Sequence, residues 1–219
     1  MTSSSSVTES SQHFRFFDLP SELRVTIHEL ILLLPNTVDL DPTNYQNIAP
    51  RLRLFLVSRR MHEEAYRTFY GGNTFRLFPL HGRFFHTKLP LLSRIPPRYR
   101  ATMNTIELRL GPGWTAPPKG WVVDQHIGLS DARALRLLKI FVECDPASDD
   151  IFEGFRVGHD FYTIFCRGLV KKIYDYVPSL DEVQFNAYPS VPKNSPLMQA
   201  LLREAAISKK RITWGLEGG

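Results

Sequence analysis

The 219 residues predict an α/β chain: a small helical module on the N-terminal side, then a short irregular arc with a mainly parallel sheet and helices on one face. Three observations predict it. Apolar residues recur at helical spacing up to about Tyr70, and an apolar-x-x-apolar-x-apolar pattern returns beyond Pro97. Strand-length runs there alternate with helical ones, and strands joined through helices pair in parallel. Fifteen Phe and sixteen Pro add a constraint, since prolines cut elements short and aromatic rings fill the gaps between them.

Residues 1–13 read as a disordered polar tail, Ser-rich and without an apolar core. Order begins at Phe14, Phe16 and Phe17. Pro20 and Glu22 suit a helix start, where no amide donor is needed and negative charge is favourable. Leu23, Ile27, Leu30, Ile31 and Leu34 then form one apolar stripe, and Pro35 ends it. The stretch 36–50 reads as a loop, with turn residues at Asn36, Asp41-Pro42 and Ala49-Pro50. A second helix is expected from Leu52 to Tyr70, with a break near Ser58 and a stop at Gly71 and Gly72. Asn73 to Phe78 is a strand candidate, and residues 79–97 form a connection.

The repeat occupies 98–219. Met103, Ile106 and Leu108 match Leu137, Ile140 and Val142, and then Leu180, Val183 and Phe185. A fourth copy around Ile212 keeps only its strand. The anchors Ile106, Ile140, Val183 and Ile212 stand 34, 43 and 29 residues apart, an irregular period. Helices are expected at 161–176, with Ile164, Phe165, Leu169, Ile173 and Val177 buried, and from Pro196, with Leu197, Ala200, Leu201 and Ile207 on one side.

Composition narrows the function classes. Two cysteines, Cys144 and Cys166, cannot build a disulfide framework or a closed four-ligand zinc site. No apolar run reaches transmembrane length, the start does not read as a signal peptide, and no Asn precedes the x-Ser/Thr of a glycosylation acceptor. A cytoplasmic or nuclear setting is the expectation. The net charge of +5 is concentrated: residues 51–110 hold twelve basic side chains against three acidic ones, whereas residues 1–50 hold two against six. Such a block attracts acidic proteins or a phosphate backbone, or else its Arg stems cover apolar surface.

Leu19, Pro20, Glu22 and Leu23, followed by Ile27 and Leu30, and later Leu54 with Val57, Ser58, Arg59, Arg60 and Met61, resemble the F-box. The extension Glu64, Ala65, Phe69, Tyr70, Asn73 and Phe75 is similar to F-box-like proteins of filamentous fungi, and the resemblance covers about 14–78. The spacing from Leu19 to Val57 exceeds the family pattern, and the excess falls in the loop 35–50. Beyond it, the arc resembles irregular leucine-rich repeats, without the Asn or Cys that follows a regular repeat strand. The resemblance implies a non-catalytic substrate-recognition subunit of a ubiquitin ligase, joined through a Skp-type adaptor to a cullin. It implies adaptor contacts at Leu19, Pro20, Leu23, Ile27, Leu54, Val57 and Ser58. Ordinary packing in a small helical core is the competing reading for each.

For a protein substrate the candidate residues are Trp114 and Trp121, in the connection 111–128, with Arg109, Phe141 and Gln184 on outward strand positions. The indoles can equally cap a sheet edge, and the strand positions can simply be solvated. No phosphate loop, nucleophile elbow or zinc helix occurs, so no catalytic, cofactor or metal residues are assigned. Two other readings stand beside the ligase subunit. One is a stand-alone interaction or scaffold protein, in which the N-terminal helices only cap the sheet and bury those same apolar residues. The other is nucleic-acid binding through the block 51–110, with Arg51, Arg53, Arg59, Arg60, Arg67, Arg94, Arg98 and Arg100 on one face.

Overall fold

The structure, a computed structural model, describes residues 14–39, 42–80, 90–111, 115, 118, 120–148, 152, 154 and 158–215, with Pro42 and Thr43 by their backbone only. The expected tail 1–13 and Trp114 lie outside the described residues.

Prolines set where most helices begin. α1 (Ser21–Leu32) follows Pro20, α4 (Leu91–Arg94) follows Pro90, and α2 (Pro42–Leu52), α5 (Pro97–Arg100) and α7 (Pro196–Ile207) start on a proline. A first-turn residue has no intrahelical partner for its N–H, so the missing donor costs nothing there. α3 (Arg59–Gly72) starts differently: the Ser58 hydroxyl accepts the Met61 N–H at 3.1 Å as its N-cap. For α7 that place is shared, because Ser195 accepts from Met198 and buried Asp145 accepts the Leu197 N–H at 2.7 Å.

α2 corrects the expected loop 36–50. Pro42, Thr43 and Asn44, read as turn formers, open a helix, since Pro at a first helical position serves as well there as in a turn. The expected helix 52–70 is correspondingly divided. Pro50 sits inside the end of α2, the chain tightens into a 3-10 turn over Arg53–Leu56, and α3 begins only after Ser58.

Five strands form one sheet in sequence order: β1 (Thr74–Arg76), β2 (Thr105–Leu110), β3 (Leu137–Val142), β4 (Glu182–Ala187) and β5 (Arg211–Trp214), every adjacent pair parallel. Sequential order with every pair parallel sends each connection over the sheet in the same sense. The connecting helices, among them α6 (Phe161–Tyr176) before β4 and α7 before β5, therefore share one face and leave the other open. The strands show it. β2 and β3 alternate half-buried and buried residues, with Ile106, Leu108, Leu110, Leu138, Ile140 and Val142 buried.

The register revises the expected repeat by two residues at one copy. Ile106 pairs with Leu138, Leu138 with Val183, and Val183 with Ile212, so Ile140 lies level with Leu108 and Phe185. The equivalent triplets are Met103, Ile106, Leu108; Leu135, Leu138, Ile140; and Leu180, Val183, Phe185, all fully or almost fully buried. Leu135 thus takes the place expected for Leu137. A shift of two keeps Ile140 and Val142 inward and displaces only Leu137, half-buried at the start of β3, which is why the pattern found the correct face in the wrong register.

The core runs without interruption from Leu32, Ile48 and Phe69 of the N-terminal helices to Ile106, Ile140, Phe185 and Leu201 of the arc. β1, the last piece of the expected module 14–78, is the first strand of the shared sheet. Its outer edge is closed by Val38, whose N–H donates to Thr74 and whose carbonyl accepts from Arg76, both at 2.8 Å.

Candidate functional site

Two surfaces carry the residues singled out by sequence, and the first is built by α1. Its side against α3 holds Arg24, His28 and Leu32, spaced one turn apart and all buried. Two of these three are polar. Arg24 pairs with Glu64 of α3, and His28 lies 1% exposed with its Nε2 3.3 Å from the Met61 sulfur. The apolar stripe read from the sequence lies mostly outside this side: Leu23 is 51% exposed, Leu30 78% and Ile31 is exposed as well, while Ile27 and Leu34 are half-buried. Downstream, Leu56 at the end of the 3-10 turn and Val57 just after it stand 85% and 64% exposed.

The electrostatics of α1 follow this arrangement. Hydrogen bonding from Arg24 holds the Glu64 carboxyl below the usual carboxylate range, and burial pushes His28 below its ordinary imidazole value. Neutral His28, without a hydrogen-bond partner for its Nδ1, thus sits beside an ionised pair. Of the seven expected adaptor contacts, Pro20, Leu23, Val57 and Ser58 are exposed, while Leu19, Ile27 and Leu54 are half-buried. Leu54 packs against the core, and the Ser58 hydroxyl is occupied in capping α3. Leu30 and Leu56 join this surface as large exposed side chains.

The second surface is the open face of the sheet. Arg109, Phe141 and Asn186 stand in one row across β2, β3 and β4, with Glu107, Lys139, Gln184 and Thr213 in the row beside it. Arg109 lies over the Phe141 ring at 4.7 Å, donates to the Tyr188 hydroxyl at 2.8 Å, and pairs with Glu143. Arg76 bridges Asp39 at 2.6 Å and Glu107 at 2.9 Å. The Thr213 hydroxyl and Arg211 hold the Glu182 carboxyl below its ordinary range. The sheet face is thus a polar surface of mutually paired charges with an aromatic patch at its C-terminal end.

Past that end lies a groove of about 400 Å³, lined by Asn186, Tyr188, Val191, Lys193, Met198 and Trp214 among others. The Lys193 ammonium sits 4.5 Å from the Trp214 ring centroid. Sequence reasoning brought Arg109, Phe141 and Gln184 to the correct face and missed Tyr188, Lys193 and Trp214. The short proline-bounded run 188–193 after β4 was the available signal. Trp121 corrects the expectation of a surface anchor. It is 3% exposed and stacks on Phe78 with ring centroids 5.1 Å apart, because an indole next to the end of β1 loses more water contact against the core than it would at the rim.

The basic block does not form one face. Arg100 is buried, donating to the Leu92 and Ile95 carbonyls and to Asp131, so its charge staples α4 and α5 to the 3-10 turn Leu129–Asp131 ahead of β3. Arg51 donates to the Ile31 carbonyl, and Arg60 and Arg98 pair with Glu64 and Glu63. Arg98 also lies over Tyr66 and Tyr99, as expected of stems that cover apolar surface. The thiols are not poised for chemistry either: burial pushes Cys144 up to about 11 and Cys166 higher, so both stay protonated near neutral pH. Among the described residues no helix is long and apolar enough to cross a membrane, and no cluster of three His, Cys, Asp or Glu could hold a metal ion.

Comparison of the chain with family models, with curated proteins and with solved structures returned no match.

Proposed function

We propose that the protein is a non-catalytic substrate receptor, which docks on a Skp-type adaptor of a cullin-based ubiquitin ligase through α1 and the 53–58 segment and presents a protein substrate on its sheet. The observation that carries this reading is the inverted burial of α1. A helix that buries Arg24 and His28 while holding Leu23 and Leu30 in water gives up apolar burial worth about 1.5–3 kcal/mol per large side chain, and a partner recovers it. Helices serving only to cap the sheet would bury those leucines. The resemblance of Leu19–Leu23 and Leu54–Met61 to the F-box supplies the kind of partner.

The test is an affinity purification from eukaryotic lysate, scored by identity for adaptor and cullin. Wild type should retain both, and Leu19→Asp with Leu23→Asp should lose both while the chain stays folded. A monomeric, adaptor-free protein at wild-type sequence would overturn the proposal and leave the scaffold reading.

A further inference from the structure

The two edges of the sheet are treated differently. Along β1, Val38 satisfies the outward N–H of Arg76 and the outward carbonyl of Thr74. Along β5, the Arg211 N–H donates to Asp181 and the Gly215 N–H to Phe185, so alternate residues point their backbone groups at β4. By strand alternation, the N–H and C=O of Ile212 and Trp214 point the other way, where no described strand pairs with them. An unpaired edge of this kind is a template for another extended chain.

The side chains around that edge have a consistent chemistry. Ile212 and Trp214 lie on the helix-bearing side, level with Val183 and Phe185, while Arg211 and Thr213 lie on the open face. Lys193 carries charge over Trp214 at the C-terminal end of this edge and Lys209 just before its N-terminal end, neither with an acidic partner among the described residues. Glu182, the nearby carboxylate, is taken up by Arg211 and Thr213. The groove past the strand ends has apolar walls from Val191, Met198 and Trp214 and a cationic rim at Lys193, with room for a large aliphatic or aromatic side chain.

We infer that the free edge of β5 and the adjoining groove bind an extended acidic segment of another protein, added to the sheet as a further strand. Its apolar side chains lie on the helix side beside Ile212 and Trp214, and its carboxylates reach Arg211 on the open face and Lys209 and Lys193 at the two ends of the edge. Backbone pairing supplies affinity that is indifferent to sequence, and the alternation of apolar and acidic residues supplies selection. The inference rests on the sheet being the substrate side, as proposed above. It does not involve α1, which packs against α3 at the other end of the sheet, so the two proposals fail separately.

The test uses the full chain and fluorescein-labelled peptides of about ten residues, long enough to cover one strand. One alternates Leu and Glu, a second alternates Leu and Lys, and a third is the Leu–Glu peptide with alternate amides N-methylated. Fluorescence anisotropy should show saturable binding of the Leu–Glu peptide, loss of about tenfold or more in affinity on N-methylation, and little binding of the Leu–Lys peptide. Lys193→Glu should weaken the Leu–Glu peptide and strengthen the Leu–Lys one, a reversal that unfolding could not produce. Trp214→Ala should weaken both. Equal binding of the N-methylated peptide would overturn strand addition. Indifference to charge at peptide and residue 193 alike, or no saturable binding of the Leu–Glu peptide, would overturn the site and leave the lysines as guards of a bare edge. Adaptor capture by the Lys193→Glu variant should match wild type; its loss together with peptide binding would overturn the separation of the two surfaces.

Discussion

Arg24 of α1 and Glu64 of α3 meet fork to fork, Nε to Oε2 at 2.9 Å and Nη2 to Oε1 at 3.1 Å. The same guanidinium donates to the Leu19 carbonyl, so one side chain joins the segment before α1, α1 itself and α3. Removing one partner leaves the other charge in a contact built for two. Arg24→Leu should therefore lower the thermal midpoint and open residues around α1 to limited proteolysis. Arg24→Leu with Glu64→Leu should recover part of the loss, read as a coupling in a double-mutant cycle. Additive effects of the two changes would mean that the pair does not hold α1.

Acid should act on α1 in two separate ranges. The imidazole of His28 is depressed from 6.5 by burial, so below about pH 6.5 the unfolded chain binds a proton that the folded chain refuses. Stability conferred by neutral His28 is complete above that value and falls as pH drops toward the lower folded value. Glu64 is depressed from 4.5 by Arg24, so its contribution is present above pH 4.5 and is lost as pH falls through the lower folded value. Urea midpoints measured against pH should show both limbs. His28→Gln should flatten the upper one alone and Glu64→Gln the lower one.

Asn73 is the junction between the N-terminal helices and the sheet. Its amide donates to the carbonyls of Leu32 and Phe69, both at 2.9 Å, and its Oδ1 accepts the Leu34 N–H at 2.8 Å. These groups lie at the C-terminal ends of α1 and α3, where helices leave carbonyls without intrahelical partners. Asn73→Ala strands the Leu32 carbonyl and the Leu34 N–H, while the Phe69 carbonyl keeps the backbone N–H of residue 73, and should cost about 3 kcal/mol in urea unfolding. A loss within about 0.5 kcal/mol, the range of an ordinary surface change, would show that water replaces the amide.

The outward leucines should be silent in the isolated chain. Leu30→Glu and Leu56→Glu remove no internal contact of weight, so unfolding free energy should stay within about 0.5 kcal/mol of wild type. Leu32→Ala, one turn from His28 on the buried side, should cost about 2–5 kcal/mol. If the glutamates at 30 and 56 destabilise as much as the alanine at 32, the leucines are core residues and α1 offers no free face.

Local features that depend on a few neighbouring residues were legible in the sequence. Pro20 and Pro196 mark helix starts, Ser58 marks the break before α3, and period-two alternation put Arg109, Phe141 and Gln184 on the open face. α2 escaped because the residues that open it, Pro42, Thr43 and Asn44, are the ones that also make turns. The groove residues Tyr188, Lys193 and Trp214 escaped because only the pairing of β4 with β5 brings 188–193 beside 214.

What the sequence by itself determined is the parallel α/β architecture, the order of its strands and which side of each strand faces the helices. These follow from short-range periodicity and from the length of the connections. Only the tertiary structure decided which side of α1 is buried, which residues stand level across the sheet, and that Trp121 is core rather than surface. Apolar spacing says that a helix has an apolar side; it does not say whether that side meets its own chain or another. On α1 the buried side holds Arg24 and His28 with Leu32, Arg24 paired with Glu64 and His28 set against Met61 of α3, while Leu23 and Leu30 remain in water.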